Sequence, residues 1–401
     1  AKYSLLHFFC NAAQFFPLEE MNMNCALVFY PSFSRRWFLI VVAAILGPIA
    51  TSSVHGQGCV CAHLITPGLG AEGTSYLAQG HWSFNSTFRY YNSLQDVMGD
   101  HPLKRPIIYA NTHIYELDFS ATYAVTNRFD LSLEEPVQYG TRKTSIEHDF
   151  MSSQRHTMRA FGLGNPRLFA DVYLFEPSKS PDRNIALGLG VEFPIGDSNA
   201  KDTSHRATGN VERPVDPAIQ PAQGGWGILA RFHAYTNLDF RHTPETSWLK
   251  DTFLYADGTY LATPQELSGT QTPFADEPAI TGGTVGFRYS SVVDQFLVRL
   301  GLSQLLLRNL GLSGNIGLRF EGVPKWDLIG GSNGFRLPGN SLSIEPGLTL
   351  VRGKQSFTVS VPIALHRYGS NFLANERLGH TGAGFDAIAD WQLLVGYTRQ
   401  F

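Results

Sequence analysis

Asn184-Ile185-Ala186-Leu187-Gly188-Leu189-Gly190-Val191-Glu192-Phe193 is the stretch that decides how this chain folds. Successive side chains of a β-strand point to opposite faces. Ile185, Leu187, Leu189, Val191 and Phe193 therefore share one face, and Asn184, Ala186, Gly188, Gly190 and Glu192 the other. A soluble sheet turns a Lys- and Glu-rich face to bulk water. Here the polar face is small and carries a single charge, which suits a wet, confined lumen. The aliphatic face then meets hydrocarbon.

The same period recurs outward from this segment. In His81–Tyr90, Trp82, Phe84, Phe88 and Tyr90 oppose His81, Ser83, Asn85, Thr87 and Arg89. In His113–Val125, Tyr115, Leu117, Phe119, Ala121, Tyr123 and Val125 oppose Glu116, Asp118, Ser120 and Thr122. In Gln355–His366, Phe357, Val359, Val361, Ile363 and Leu365 oppose Ser356, Thr358, Ser360 and His366. Aliphatic residues fill the middle of the apolar face and Tyr, Trp or Phe its ends, as in the aromatic girdles of membrane barrels.

About twelve strands follow, near 80–91, 112–125, 128–138, 166–176, 184–195, 225–237, 248–261, 292–305, 312–322, 341–351, 355–367 and 387–401. Short connectors (Thr126-Asn127, 176–183, 241–247, 306–311, 352–354) alternate with long ones (92–111, 139–165, 196–224, 262–291, 323–340, 368–386). Short periplasmic turns alternating with long outer loops mark an all-β, transmembrane, antiparallel up-and-down β-barrel. The barrel is expected over residues 76–401. Ten or fourteen strands stay open because of 248–261 and 280–305, where Thr284–Ser290 is either a separate strand or an extension.

Composition agrees. Charged residues are 16% of the chain, against roughly 25% in ordinary soluble domains. A net charge of −3 gives no reason to expect nucleic acid as a partner. A mean hydropathy of −0.10 argues against a bundle of membrane helices. Only Trp37–Ile49 is strongly apolar, and it is too short to span a bilayer. With Arg35-Arg36 before it and small residues after it, it reads as a signal peptide cleaved near Gly56–Gln57. An ordinary secretory signal is preferred to a twin-arginine one. Residues 1–56 are then the upstream segment and signal, and 57–75 a periplasmic N-terminal segment or a partial plug of the barrel. Cys59, Cys61 and His63 crowd that segment but lack a second ligand pair at metal-site spacing, so no metal or other cofactor is expected.

The C-terminal strand ends at Phe401, with Trp391, Leu393, Val395 and Tyr397 on the same parity, broken by Arg399. This segment resembles the signal read by the barrel-assembly machinery, with Trp391, Tyr397 and Phe401 as its anchors. On the lumen parity stand Arg89, Glu116, Asp118, Asp130, Glu134, Arg167, Asp171, Glu192, Arg231, Arg319, Glu321 and Glu345. Opposite charges facing a lumen either brace it or select solutes. With both signs present, no strong ion selectivity is expected.

No catalytic residues emerge. There is no Gly-x-Ser-x-Gly elbow. Ser360 and His366 share a parity but lie about 20 Å apart along a strand. Ser83 and His81 have no third partner. Gly162-Leu163-Gly164 lacks the rest of a dinucleotide fingerprint.

Several segments resemble the outer-membrane family named after the meta-pathway of phenol degradation. They are Gly162-Leu163-Gly164-Asn165-Pro166, Leu187 to Asp197 with its Phe193-Pro194-Ile195-Gly196-Asp197, Asp294-Gln295-Phe296, Glu321-Gly322-Val323-Pro324, Asp327 to Ser332, and Glu345-Pro346-Gly347. The resemblance spans roughly 115–401. It implies a transporter-like barrel for small solutes, hydrophobic or aromatic compounds among them, and no catalytic residues. Pro194 lacks an N–H and Gly196-Asp197 favours a turn, so this segment is expected to end a strand. The chain thus reads as an exported channel in the outer membrane of a two-membrane bacterium. The alternative is a non-conducting barrel acting through its long loops.

Overall fold

Each period-two segment pairs antiparallel with the one before it, and the last returns to the first. The computed structural model describes Leu64 and residues 77–401 apart from 95–96, 103–109, 146–147, 149–153, 240–248, 250, 274, 277–284, 378 and 380–384. The expected signal peptide and Cys59 and Cys61 lie outside the described residues.

The strands are β1 (Trp82–Ser93), β2 (Asn111–Thr126), β3 (Phe129–Thr144), β4 (His156–Leu163 and Arg167–Tyr173) and β5 (Arg183–Glu192). They continue as β6 (Gly227–Asn237), β7 (Thr252–Ala262), β8 (Gln295–Leu307), β9 (Leu312–Val323) and β10 (Gly339–Arg352). The last are β11 (Gln355–Ser360 and Ile363–Gly369) and β12 (Trp391–Gln400). One sheet contains 14 hydrogen-bonded segments, and β4 and β11 are each broken once, leaving 14 − 2 = 12 strands. β1 pairs with β12 from Ser83↔Gln400 to Asn92↔Trp391, so the sheet has no free edge. Closure satisfies the backbone groups that an open edge would leave bare in lipid.

Both breaks fall at proline, which cannot donate to the ladder. β4 is interrupted at Gly164-Asn165-Pro166 and β11 at Val361-Pro362. At the first break the Gly164 N–H donates to the Pro136 carbonyl at 2.8 Å, holding β4 to β3. β5 ends before Pro194, as expected. The β10–β11 hairpin turns on Gly353 at φ 59°, a conformation costly for any residue with a Cβ.

The connectors do alternate in length. At the long-loop end, Lys201–Arg206 and Gly209–Pro214 form a hairpin, and Leu267–Gln271 pairs with Tyr289–Ser291. Val285–Arg288 is one helical turn, so the segment before β8 belongs to this loop and adds no strand to the wall. The loops share an apolar layer: Tyr91, Ile114, Met158, Ile219, Phe287, Phe335 and Phe372 pack in one buried cluster.

The wall is inverted relative to a soluble protein. Along β5 the polar set is buried and the aliphatic set exposed, with Leu187 at 50% and Leu189 at 68% exposure. Leaving such side chains in water forfeits about 1.5–3 kcal/mol each, and the same pattern repeats around the closed sheet. A hydrocarbon surround removes that cost. The fold is a transmembrane β-barrel.

Candidate functional site

The lumen is built by cross-strand pairs. Arg89 and Glu116 sit opposite one another on β1 and β2 and approach to 3.9 Å. Arg167 on β4 faces Glu192 on β5 at 2.9 Å, and Asn165 from the β4 break donates to the same carboxylate at 3.0 Å. Arg231 on β6 reaches past Gly188 to pair with Asp171 through two nitrogens and with Glu134 at 2.8 Å. Gly188 lies between the two in the ladder, and a Cβ there would stand 2.1 Å from Asp171 Oδ1. That glycine is what lets the pair close. Arg319 donates to Glu321 at 2.7 Å and lies 3.9 Å from Glu345. Asp118 and Asp130 are buried on the same wall. All twelve candidates therefore face the interior, eleven of them nearly fully buried and Arg231 partly so.

Four members of this set are absent from the sequence reading: Asp257, Arg299, Arg142 and Arg367. Arg299 on β8 donates to Asp257 on β7 at 2.8 Å and lies 3.7 Å from Glu345 on β10. The signal was present: Arg299 stands between Val298 and Leu300, both exposed on the outer face, and so must point inward. With Arg142 on β3 and Arg367 on β11, which also stand on the inward parity, these sixteen residues comprise nine carboxylates and seven guanidiniums.

An apolar knot interrupts the polar wall. Leu64 packs with Phe169, Leu229, Leu261 and Leu297, and its carbonyl accepts from Arg89 Nη1 at 3.2 Å. Leu64 is the described member of the 57–75 segment, and it lies inside the barrel at 3% exposure.

The segments that carried the family resemblance do structural work at the long-loop end. The Asp294 carboxylate accepts from Tyr260 Oη, Thr263 N and Leu328 N, each at 2.7 Å. Asp327 accepts from the Asp294 N–H at 3.0 Å and from Arg336 Nη1 at 2.8 Å. Buried carboxylates with several donors hold irregular backbone in one shape. The Ser and His pairs weighed for catalysis are engaged elsewhere: Ser360 donates to Glu345 at 3.0 Å, and His81 Nδ1 bonds the Phe401 carbonyl at 2.6 Å. At the C-terminus Trp391 and Phe401 are exposed, while Tyr397 packs against Phe357 with 4.8 Å between ring centroids.

A histidine cluster clamps two loops together. His148 lies 5.3 Å from His156 and 5.6 Å from His205, ring to ring, and the latter two stack at 4.3 Å. The His205 N–H donates to His148 Nδ1 at 2.9 Å. Burial, then the two neighbouring imidazoles, push His148 down to about 4, against its ordinary 6.5. The unfolded loop therefore takes up the proton first as pH falls. Stability from this cluster is present above about pH 6.5, declines between 6.5 and 4, and declines no further below. Limited proteolysis of the 144–156 loop should rise over that window, and His148→Phe should flatten the dependence.

No protein-family model and no curated protein matches the chain. Among solved structures it is similar to an outer membrane channel from Pseudomonas putida F1, at 14% identity over 84% of this chain and 100% of that one, with a TM-score of 0.48. It is similar to the beta domain of the Bordetella autotransporter BrkA, at 11% identity over 80% of this chain and 100% of that one, TM-score 0.39. The CymD monoaromatic hydrocarbon channel also resembles it, at 11% identity over 87% of this chain and 98% of that one, TM-score 0.36.

Proposed function

We propose that this chain is a channel in the outer membrane of a two-membrane bacterium, inserted through its C-terminal strand by the barrel-assembly machinery. It admits small solutes, hydrophobic or aromatic compounds among them. The observation that carries the reading is a closed wall with aliphatic side chains outside and charged and polar side chains inside. Such a wall has one stable setting, around water and within lipid. The carboxylate surplus favours small cations over anions among ions that pass.

One observation favours the second reading, a non-conducting barrel that acts through its loops. Arg89 and Arg319 are at most 1% exposed, and Leu64 fills space between strands. Planar-bilayer recording of the refolded full chain decides between them. The channel reading expects small, cation-preferring unitary currents, and swelling of liposomes in small aromatic acids. Silence in both assays supports the loop-surface reading.

A further inference from the structure

Adjacent residues of a strand cannot share a face, so the doublet Glu134-Glu135 on β3 must send one carboxylate each way. Glu134 points in and meets Arg231 at 2.8 Å. Glu135 stands on the outward parity, opposite Phe119 of β2 and between Leu133 and Val137. It is the seventh of the sixteen residues of β3, close to mid-height. Among the described residues of the twelve strands, it is the one carboxylate on the lipid side. Arg399, which shares that parity, is at the short-turn rim.

Its surroundings explain why an aliphatic residue would be expected there. Leu133, Leu163 and Leu168 flank the position and are 51%, 53% and 43% exposed to the surround. On the β4 side it faces the ladder break at Gly164-Asn165-Pro166. Glu135 Oε1 is buried without a hydrogen-bond partner. Arg167 is the guanidinium close enough to act on it electrostatically, and it bonds Glu192 on the lumen side. An ionisable group at this depth is costly unless an opposite charge or a proton meets it, and such groups mark ligand or ion pathways.

We propose that Glu135 is the headgroup site for a cationic amphiphile, a long-chain primary ammonium whose tail lies along Leu133 and Leu168. An ammonium offers three N–H donors and meets the carboxylate through Oε2, since Oε1 is sealed from the surround. A hydrated inorganic cation would have to shed its water to reach this depth. An amphiphile arrives by partitioning, with its tail already in hydrocarbon. An anionic headgroup would be repelled. The site goes beyond the channel reading, because it lies outside the lumen, and it rests on the outer wall facing lipid.

The probe is dodecylammonium, with dodecanol as the uncharged match, added to the full chain in zwitterionic nanodiscs and followed by titration calorimetry against empty discs. The expected result is one site per chain that prefers the amine at least tenfold over the alcohol. E135Q, nearly isosteric, should abolish that preference while keeping heat-modifiable migration on a gel, and E135D should retain part of it. Equal binding of amine and alcohol, or a preference that persists in E135Q, overturns the proposal. A nitroxide at Leu133 reports separately on lipid contact. A failed site with the label still in lipid counts against the proposal alone, whereas a label in water counts against the wall itself.

Discussion

A chain lacking residues 57–75 should conduct several-fold more than the full one. Leu64 occupies the space between Phe169, Leu229, Leu261 and Leu297, and its carbonyl accepts from the Arg89 guanidinium. Removing that backbone opens this apolar part of the lumen to water and leaves Arg89 hydrated beside Glu116. Conductance through a narrow pore depends on the section of its tightest point, so the effect is concentrated where Leu64 sits. Leu64→Asp should act in the same direction, because a carboxylate among three leucines and a phenylalanine is costly to bury and loosens the segment's seat. Unitary currents measured on the three proteins check this. Equal conductance in all three would mean that the segment does not limit the path.

The second large effect is on stability. Arg299 sits 3% exposed between Asp257 and Glu345, so solvent screens these contacts little. Replacing it with Met leaves Asp257 without its cation and Glu345 with only the more distant Arg319. Breaking a buried pair in this way costs about 3–5 kcal/mol. The midpoint of urea-driven folding into liposomes should fall accordingly. Adding Asp257→Asn and Glu345→Gln to Arg299→Met should recover much of the loss, because the triple variant strands no charge. An unshifted midpoint for Arg299→Met would mean that the lumen is wet enough there to solvate both acids.

The barrel itself was legible because its grammar is local. Every expected strand has a counterpart and the twelvefold count follows from parity and from connectors of alternating length, but β3 runs six residues past its expected end and β4 begins ten residues early, so much of the expected loop 139–165 is strand. The lumen residues follow from the same parity, and Arg299 was equally readable between Val298 and Leu300. Asp257 was harder, since Tyr255 and Leu261 also point inward on β7 and blur the alternation. Glu135 shows the opposite limit. The pattern assigns it to the lipid face unambiguously, yet a rule that sends charge inward passes over it. The loops were not legible at all. Leu328 N meets Asp294 across 34 positions and His205 N meets His148 across 57, and no periodicity encodes such contacts. Leu64, too, is placed by contacts with strands more than a hundred residues away.

The most direct test is a nitroxide scan of β5, one cysteine at a time from Ile185 to Val191, in the refolded protein in phosphatidylcholine bilayers. Collision rates with dissolved oxygen and with a water-soluble nickel chelate are compared at each site. Labels at 185, 187, 189 and 191 should favour oxygen, and those at 186, 188 and 190 should not, giving a clean period of two. A greasy side that collides with the chelate as readily as its neighbours do would place it in water, and the barrel would not be a membrane protein.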